Sequence, residues 1–179
     1  MRVIAGQYKG HRLFTPKDQE VRPTTDRTRE FLFSYIGEKI VNASVLDLFA
    51  GTGSFGIEAL SRHAESAVFV DQSSTACDLI RKNLDKVRAK APVHRINAKS
   101  FVTSDVHQYD IIFCDPPYRF QHTEALINLI MERGILNKDG WLIYESGSKE
   151  ILPSINGLRM IKEKKLGTTK ITVWTENEP

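Results

Sequence analysis

Cysteine is nearly absent from these 179 residues, which contain only Cys77 and Cys114. The two stand far apart, with no CxxC and no Cys/His cluster at ligand spacing. They read as small buried hydrophobes, and a disulfide framework or structural zinc is excluded. Long apolar runs are missing too. Nothing approaches the ~20 consecutive apolar residues of a membrane-spanning helix. The stretch Met1-Arg2-Val3-Ile4-Ala5-Gly6-Gln7-Tyr8-Lys9 has no apolar core of signal-peptide length, so a soluble cytoplasmic protein is expected. There are no repeats and no low-complexity segment. What remains is ordinary globular composition, 41% apolar and 26% charged. A chain of this length buries roughly 70% of the surface its unfolded form exposes, enough for one domain without staples.

The net charge of +3 hides an uneven distribution. Residues 1–29 hold seven Lys/Arg against three acids, and residues 158–170 hold five against one, on a mildly acidic body. In the first segment Lys9, Arg12, Lys17, Arg22, Arg27 and Arg29 are interleaved with Tyr8, His11 and Phe14. That mixture suits both phosphates and bases, although a solvated surface would also account for it.

Residues 2–14 alternate loosely around Gly6 and Gly10 and predict a small hairpin. The polar Arg22-Pro23-Thr24-Thr25-Asp26 stretch precedes apolar Leu32, Phe33, Ile36 and Ile40 at helical spacing, which predicts a helix over 26–41. From Ser44 short apolar strands alternate with helices, the pattern of a doubly wound, mostly parallel sheet. The expected strands are 45–49, 67–71, 93–97, 111–115 and 141–145, with helices over 74–89 and 122–133. Residues 158–165 and 170–175 read as two strands joined at Gly167, so the parallel sheet should end in an antiparallel hairpin.

Two strand ends carry chemistry. The first runs into Asp47-Leu48-Phe49-Ala50-Gly51-Thr52-Gly53-Ser54-Phe55-Gly56, a GxGxxG between strand and helix, and Asp71 closes the next strand. That geometry puts glycines under a nucleoside ligand and an acid against its ribose hydroxyls; the blander reading is a tight turn with close helix packing. Asp47, at the mouth of the loop, would repel a pyrophosphate and attract a sulfonium or ammonium group, which favours S-adenosylmethionine over NAD; the blander reading is an acid that caps the loop's own amides. The second strand end is Asp115-Pro116-Pro117-Tyr118. Proline donates no ladder bond and holds the preceding residue extended, which aims Asp115 out of the sheet's C-terminal edge. A carboxylate, a proline-freed carbonyl and an aromatic face form a receptor for a flat ring bearing an exocyclic NH2. A proline-rich loop after a buried strand is the alternative.

Asp-Pro-Pro-Tyr together with residues 47–56 resembles the amino-directed S-adenosylmethionine methyltransferases. Arg2-Val3-Ile4-Ala5-Gly6 with Lys9-Gly10, then residues 21–30 (Val-Arg-Pro-Thr-Thr-Asp-Arg-Thr-Arg-Glu), then Gly56-Ile57-Glu58-Ala59-Leu60-Ser61-Arg62 are similar to the small-subunit ribosomal RNA guanine-N2 methyltransferases of the RsmD family. The likeness covers nearly the whole chain. It implies one Rossmann-like class I methyltransferase domain, with a basic extension over 1–25 and a core over 26–179. It implies cofactor binding by Asp47, Phe49, Gly51, Gly53 and Asp71, with Asn97 and Ala98 at the strand end that holds adenine. The catalytic loop would be Asp115, Pro116, Pro117 and Tyr118. The implied cofactor is S-adenosyl-L-methionine, no metal is required, and the partner is 16S rRNA in a small-subunit particle, bound by a monomer.

On this reading a guanine amine, oriented by Asp115 and the Pro116 carbonyl, displaces the sulfonium methyl in line. The base is turned out of its stack onto Tyr118 and Phe120, while Lys9, Arg12 and Arg22 hold phosphates. Four rivals remain. A DNA adenine-N6 methyltransferase shares the loop but would need a target-recognition domain. A glutamine-directed protein methyltransferase would usually carry Asn in place of Asp115. A non-catalytic RNA-binding assembly factor would not need both loops, and a nicotinamide dehydrogenase would need a proton donor beside the glycines.

Overall fold

In the computed structural model, residues 1–16, 26–117 and 120–177 are described. Helices and strands alternate along them: α1 Asp26–Ile36, β1 Ser44–Leu48, α2 Ser54–Ser61, β2 Ser66–Asp71, α3 Ser74–Val87, β3 Val93–Arg95, α4 Ala98–Ser104, β4 Tyr109–Cys114, α5 Thr123–Arg133, β5 Leu136–Gly147, β6 Leu158–Leu166 and β7 Thr169–Glu176. The strands form one seven-stranded sheet ordered β3-β2-β1-β4-β5-β7-β6. β1 to β5 are parallel. β7 enters antiparallel between β5 and β6, giving the terminal hairpin its place in the sheet.

The central strands are mostly apolar, as in Ile111 to Cys114 of β4, because both faces of the sheet are covered. The pleat sends Val45, Ile111, Phe113 and Ile143 to the face packed by α1, α2 and α3. Leu46, Leu48, Ile112, Cys114 and Leu142 go to the face packed by α4 and α5. On the first face Phe33, Phe55 and Phe113 lie ring against ring, with centroids 5.0 and 4.0 Å apart, and so join α1, α2 and β4. Each such pair contributes about 0.5–1.5 kcal/mol beyond the area it buries.

The structure departs from the sequence pattern in three places that bear on the site. The helix expected over 26–41 stops at Ile36, because Gly37 takes a φ of 56°, and a 3-10 turn over Gly37–Ile40 carries Ile40 into the core. The strand expected over 93–97 stops at Arg95: Asn97 instead accepts the Ser100 N–H at 2.9 Å and caps α4, a helix the strand pattern did not include. β5 is longer than expected, running from Leu136 to Gly147.

Residues 1–16 contain one isolated bridge, Arg2 with Arg12, supported by Val3 N–H to His11 O and Gly10 N–H to Val3 O, both 3.0 Å. This reduced hairpin is locked down by α2. Fully buried Glu58 accepts the Ile4 N–H at 2.7 Å, the Ala5 N–H at 3.0 Å and Arg62 Nε at 2.8 Å. Arg29 lies 3.8 Å from the same carboxylate and is itself fully buried, donating to Arg2 O and to Asp26. Arg29 is therefore a core residue and no part of a surface basic patch. Gly6 comes so close to α2 that a Cβ there would fall 1.8 Å from Ser61 O, and its φ of 81° suits only glycine.

Glu58→Ala should strip two amides and Arg62 of their acceptor and buried Arg29 of a countercharge at once. The expected loss is about 3–5 kcal/mol of unfolding free energy, read by urea denaturation, together with faster tryptic cleavage at Lys9. Unchanged stability would mean that the extension is held by something else.

Candidate active site

The order β2-β1-β4 reverses the direction of chain travel at β1, and in an open α/β sheet the crevice at that point lies beyond the strands' C-terminal ends. The glycine loop fills one side of it. Phe49 leaves β1 at a φ of 63°, in the left-handed region unusual for a non-glycine residue. Ala50 N–H then bonds Val70 O at 3.0 Å, and Gly53 N–H bonds Ala50 O at 2.7 Å, so the chain doubles back into α2. Gly53 enters that helix at a φ of 74°. At Gly56 a Cβ would meet the Phe69 ring at 2.4 Å, so the third glycine serves the packing of α2 on β2.

Three carboxylates gather at this edge. Asp47 is buried and accepts the Gly56 N–H at 3.0 Å. Asp71 divides its oxygens between the Gly51 N–H at 2.9 Å and the Ser73 N–H at 2.8 Å. Asp115 follows β4, its N–H 3.5 Å from Leu48 O at the end of β1. Burial holds the Asp47 carboxyl well above the usual carboxylate range; the Gly56 amide pulls it partly back, and the charges of Asp115 and Asp71 push it up again. The buried Cys114 thiol is pushed up as well, first by burial and then by Asp47 and Asp115.

A cavity of about 560 Å³ opens between these elements. Asp47, Phe49, Gly51 and Asp71 line one side, and Asp115, Pro116 and Pro117 line the other. Phe120 and Phe49 both line it and meet edge to face, with centroids 5.2 Å apart. Gly53 stands behind the wall as the helix cap. Asn97 and Ala98 are not brought to the cavity: the Asn97 side-chain oxygen is committed to Ser100, and Ala98 is buried against the α4 face of the core. Lys9 and Arg12 are exposed on the N-terminal hairpin. Tyr118 and Arg22 lie outside the described residues.

The sequence pattern missed the far wall. Glu145, Ser146 and Gly147 at the end of β5, with Thr169 opening β7, complete the cavity, and Pro16 reaches it from the N-terminal segment. Strand order alone brings β5 and β7 there, and no motif in the sequence carries that information. Among the described residues no group of three or more His, Cys, Asp or Glu is placed to hold a metal ion, and no helix is long and apolar enough to cross a membrane.

A sheet of this order, with a glycine loop and an Asp-Pro-Pro turn facing one crevice, defines a Rossmann-like methyltransferase fold. SMU.776 complexed with SAH has the same fold at a TM-score of 0.71, with 15% identity over 87% of this chain and 50% of that one. The family model described as conserved hypothetical protein 95 matches residues 1–175, and the chain belongs to that family, the RsmD family. Ribosomal RNA small subunit methyltransferase D of Escherichia coli K12 is 38% identical over 156 residues, 87% of this chain and 79% of that protein. YlbH of Bacillus subtilis is 36% identical over 180 residues, covering 97% and 98% of the two chains. The solved structure of yhhF from Escherichia coli superposes with a TM-score of 0.90 at 35% identity, over 98% and 97% of the two chains.

Asp47 makes a pH-dependent demand on stability. Its folded pKa lies above its unfolded one, so the folded state loses stability at pH values above the unfolded pKa, and that cost shrinks as the pH falls through the raised value and is gone below the unfolded one. Asp47→Asn keeps an acceptor for Gly56 and should raise the ligand-free melting temperature at pH 7.5, by roughly 2–4 °C per kcal/mol relieved. The gap should close on acidification. A variant less stable than wild type at neutral pH would contradict the burial argument.

Proposed function

We propose that the protein transfers a methyl group from S-adenosylmethionine to the exocyclic N2 of a guanine in small-subunit (16S) ribosomal RNA. The observation that carries this reading is the convergence of the glycine loop, Asp71 and the Asp115-Pro116-Pro117 turn on one cavity. The cavity has the volume of a small-molecule site. Its chemistry also suits the cofactor, because three clustered carboxylates are relieved by a ligand that carries a sulfonium and an ammonium. The named relatives point the same way: the Escherichia coli protein is a small-subunit rRNA methyltransferase.

Bound there, S-adenosylmethionine supplies a methyl group on a positively charged sulfur. Asp71 keeps lone pairs free for ribose hydroxyls after accepting two amides. Asp47 favours the cationic end, and Phe49 with Gly51 and Gly53 shapes the loop beneath it. On the other side the Asp115 carboxylate and the Pro116 carbonyl accept the two amine protons of guanine. This turns the nitrogen lone pair out of conjugation and toward the methyl, and positioning of this kind is worth on the order of 7 kcal/mol. Asp115 would accept the proton that the nitrogen sheds on taking up the methyl group and pass it on to solvent. Pro117 stiffens the turn, and Tyr118 and Phe120 are the aromatic faces proposed to receive the everted base.

Phosphates around that base fall to Lys9, Arg12 and Arg22. Arg12 is four residues from Pro16 at the cavity wall, a span of at most ~14 Å. The basic segment is thus within reach of a nucleotide whose base enters the site.

The direct test gives labelled S-adenosylmethionine to unmodified rRNA, small-subunit particles and DNA, and digests the products to nucleosides. N2-methylguanosine from rRNA or particles is expected. Label in N6-methyladenine or in protein glutamine would overturn the assignment. Asp115→Ala should lower turnover by roughly 10²–10³-fold while calorimetry finds cofactor affinity within a factor of about two. Neutralising Lys9, Arg12 and Arg22 should flatten the salt dependence of RNA binding by up to about 0.7–0.9 in log–log slope per lost phosphate contact. An unchanged slope would move the RNA to another surface.

A further inference from the structure

One buried side chain joins the N-terminal segment to the glycine loop. Asn83, on α3, is fully buried. Its Oδ1 accepts the Phe14 N–H at 2.6 Å, and its Nδ2 donates to Phe14 O at 3.1 Å and to Thr52 O at 2.9 Å. Both polar groups of Phe14 are thereby paired as they would be in a strand, and the second amide proton secures the carbonyl between Gly51 and Gly53. A second thread runs beside it, since Thr52 Oγ1 lies 3.8 Å from Met1 Sδ. Lys86 Nζ sits 4.3 Å above the Phe14 ring and closes the junction from outside. Two residues beyond Phe14, Pro16 forms part of the cavity wall, as does Thr52 itself.

The rest of the segment is anchored elsewhere. Ile4, Ala5 and Tyr8 are held on α2 by Glu58 and Ser61, which make no bond to the loop over Gly51–Gly53. The two anchorages therefore separate by function: α2 fixes the hairpin, while Asn83 fixes the path from the hairpin into the cavity and the loop's shape together. A buried asparagine amide held at three of its four hydrogen-bonding positions has little freedom to serve one partner without the other.

We propose that Asn83 is a positioning residue that couples the N-terminal segment to the cofactor loop, so that RNA and cofactor each strengthen the binding of the other. The inference rests on the function proposed above. When a ligand settles on the loop, Thr52 O and hence Asn83 are fixed, and Phe14 to Pro16 are held where they wall the cavity, beside the hairpin that presents Lys9 and Arg12. By linkage the same factor must appear in both directions.

The test measures affinity for S-adenosylhomocysteine with and without an unmodified 16S rRNA transcript, and affinity for the transcript with and without S-adenosylhomocysteine. Wild type should give equal ratios of about fivefold or more. In Asn83→Ala both ratios should fall to about one while each ligand still binds alone. Ser61→Ala, which also costs the segment hydrogen bonds but leaves the tie to Thr52, should retain the coupling. Should Asn83→Ala fail to fold, hydrogen exchange on wild type decides: S-adenosylhomocysteine should slow exchange of the Phe14 amide several-fold. Ratios of one in wild type, ratios preserved in folded Asn83→Ala, or a Phe14 amide indifferent to the ligand would overturn the coupling while leaving the proposed reaction intact. Absence of any S-adenosylhomocysteine binding would overturn both.

Discussion

Three carboxylates at adjacent strand ends have to be reconciled with burial, and much of the local architecture follows from that requirement. Asp47, Asp71 and Asp115 end or flank β1, β2 and β4, which are neighbours in the sheet. Left bare, they would destabilise one another and the fold. The chain answers with amides: Gly56 for Asp47, and Gly51 and Ser73 for Asp71. Delivering them requires a loop that reverses sharply, and the left-handed Phe49 and Gly53 provide the reversal. Backbone strain at a ligand site is common when surrounding structure enforces it. Here the enforcing structure is the pair of carboxylates that the loop itself serves. The compensation is incomplete at Asp47, whose carboxyl stays reluctant to ionise, and the edge keeps an appetite for positive charge.

The N-terminal segment follows the same logic on the opposite side of α2. Glu58 is buried with Arg29 and also pairs with Arg62, yet what it holds of the segment is backbone: the Ile4 and Ala5 amides. A basic stretch that composition alone would cast as a solvated arm is thereby docked through its main chain, which leaves Lys9 and Arg12 pointing outward. Main-chain docking frees those side chains for a polyanion, because none of them is needed to hold the segment in place.

The sheet was legible in the sequence because strands covered on both faces leave largely apolar runs that need no context, as in Ile111 to Cys114. The two chemical edges were legible because glycine and proline mark backbone geometry directly: Gly51, Gly53 and Gly56 in the loop, Pro116 and Pro117 at the turn. Asn97 shows the limit. An asparagine after a short strand suits an adenine site and a helix cap equally, and only the spacing of Ala98, Phe101 and Val102 hinted at α4. Glu145, Ser146 and Thr169 were out of reach because their place depends on β7 entering the sheet between β5 and β6. Asn83 belongs to no motif, and its bonds to residues 14 and 52 exist only in three dimensions.

That wiring also sets an order of events during synthesis. Ile4, Ala5 and Tyr8 wait for partners 53 or 54 positions downstream, and Phe14 waits for one 69 positions away. At ribosomal rates of about 5–20 residues per second, the opening segment stays without its anchors for on the order of 3–14 s. During that interval Val3 and Leu13 have no core to enter. The segment therefore emerges as a cationic, polar-rich stretch that gains shape only when α2 and α3 arrive, and this part of the cavity wall is set after elements that follow it in the chain.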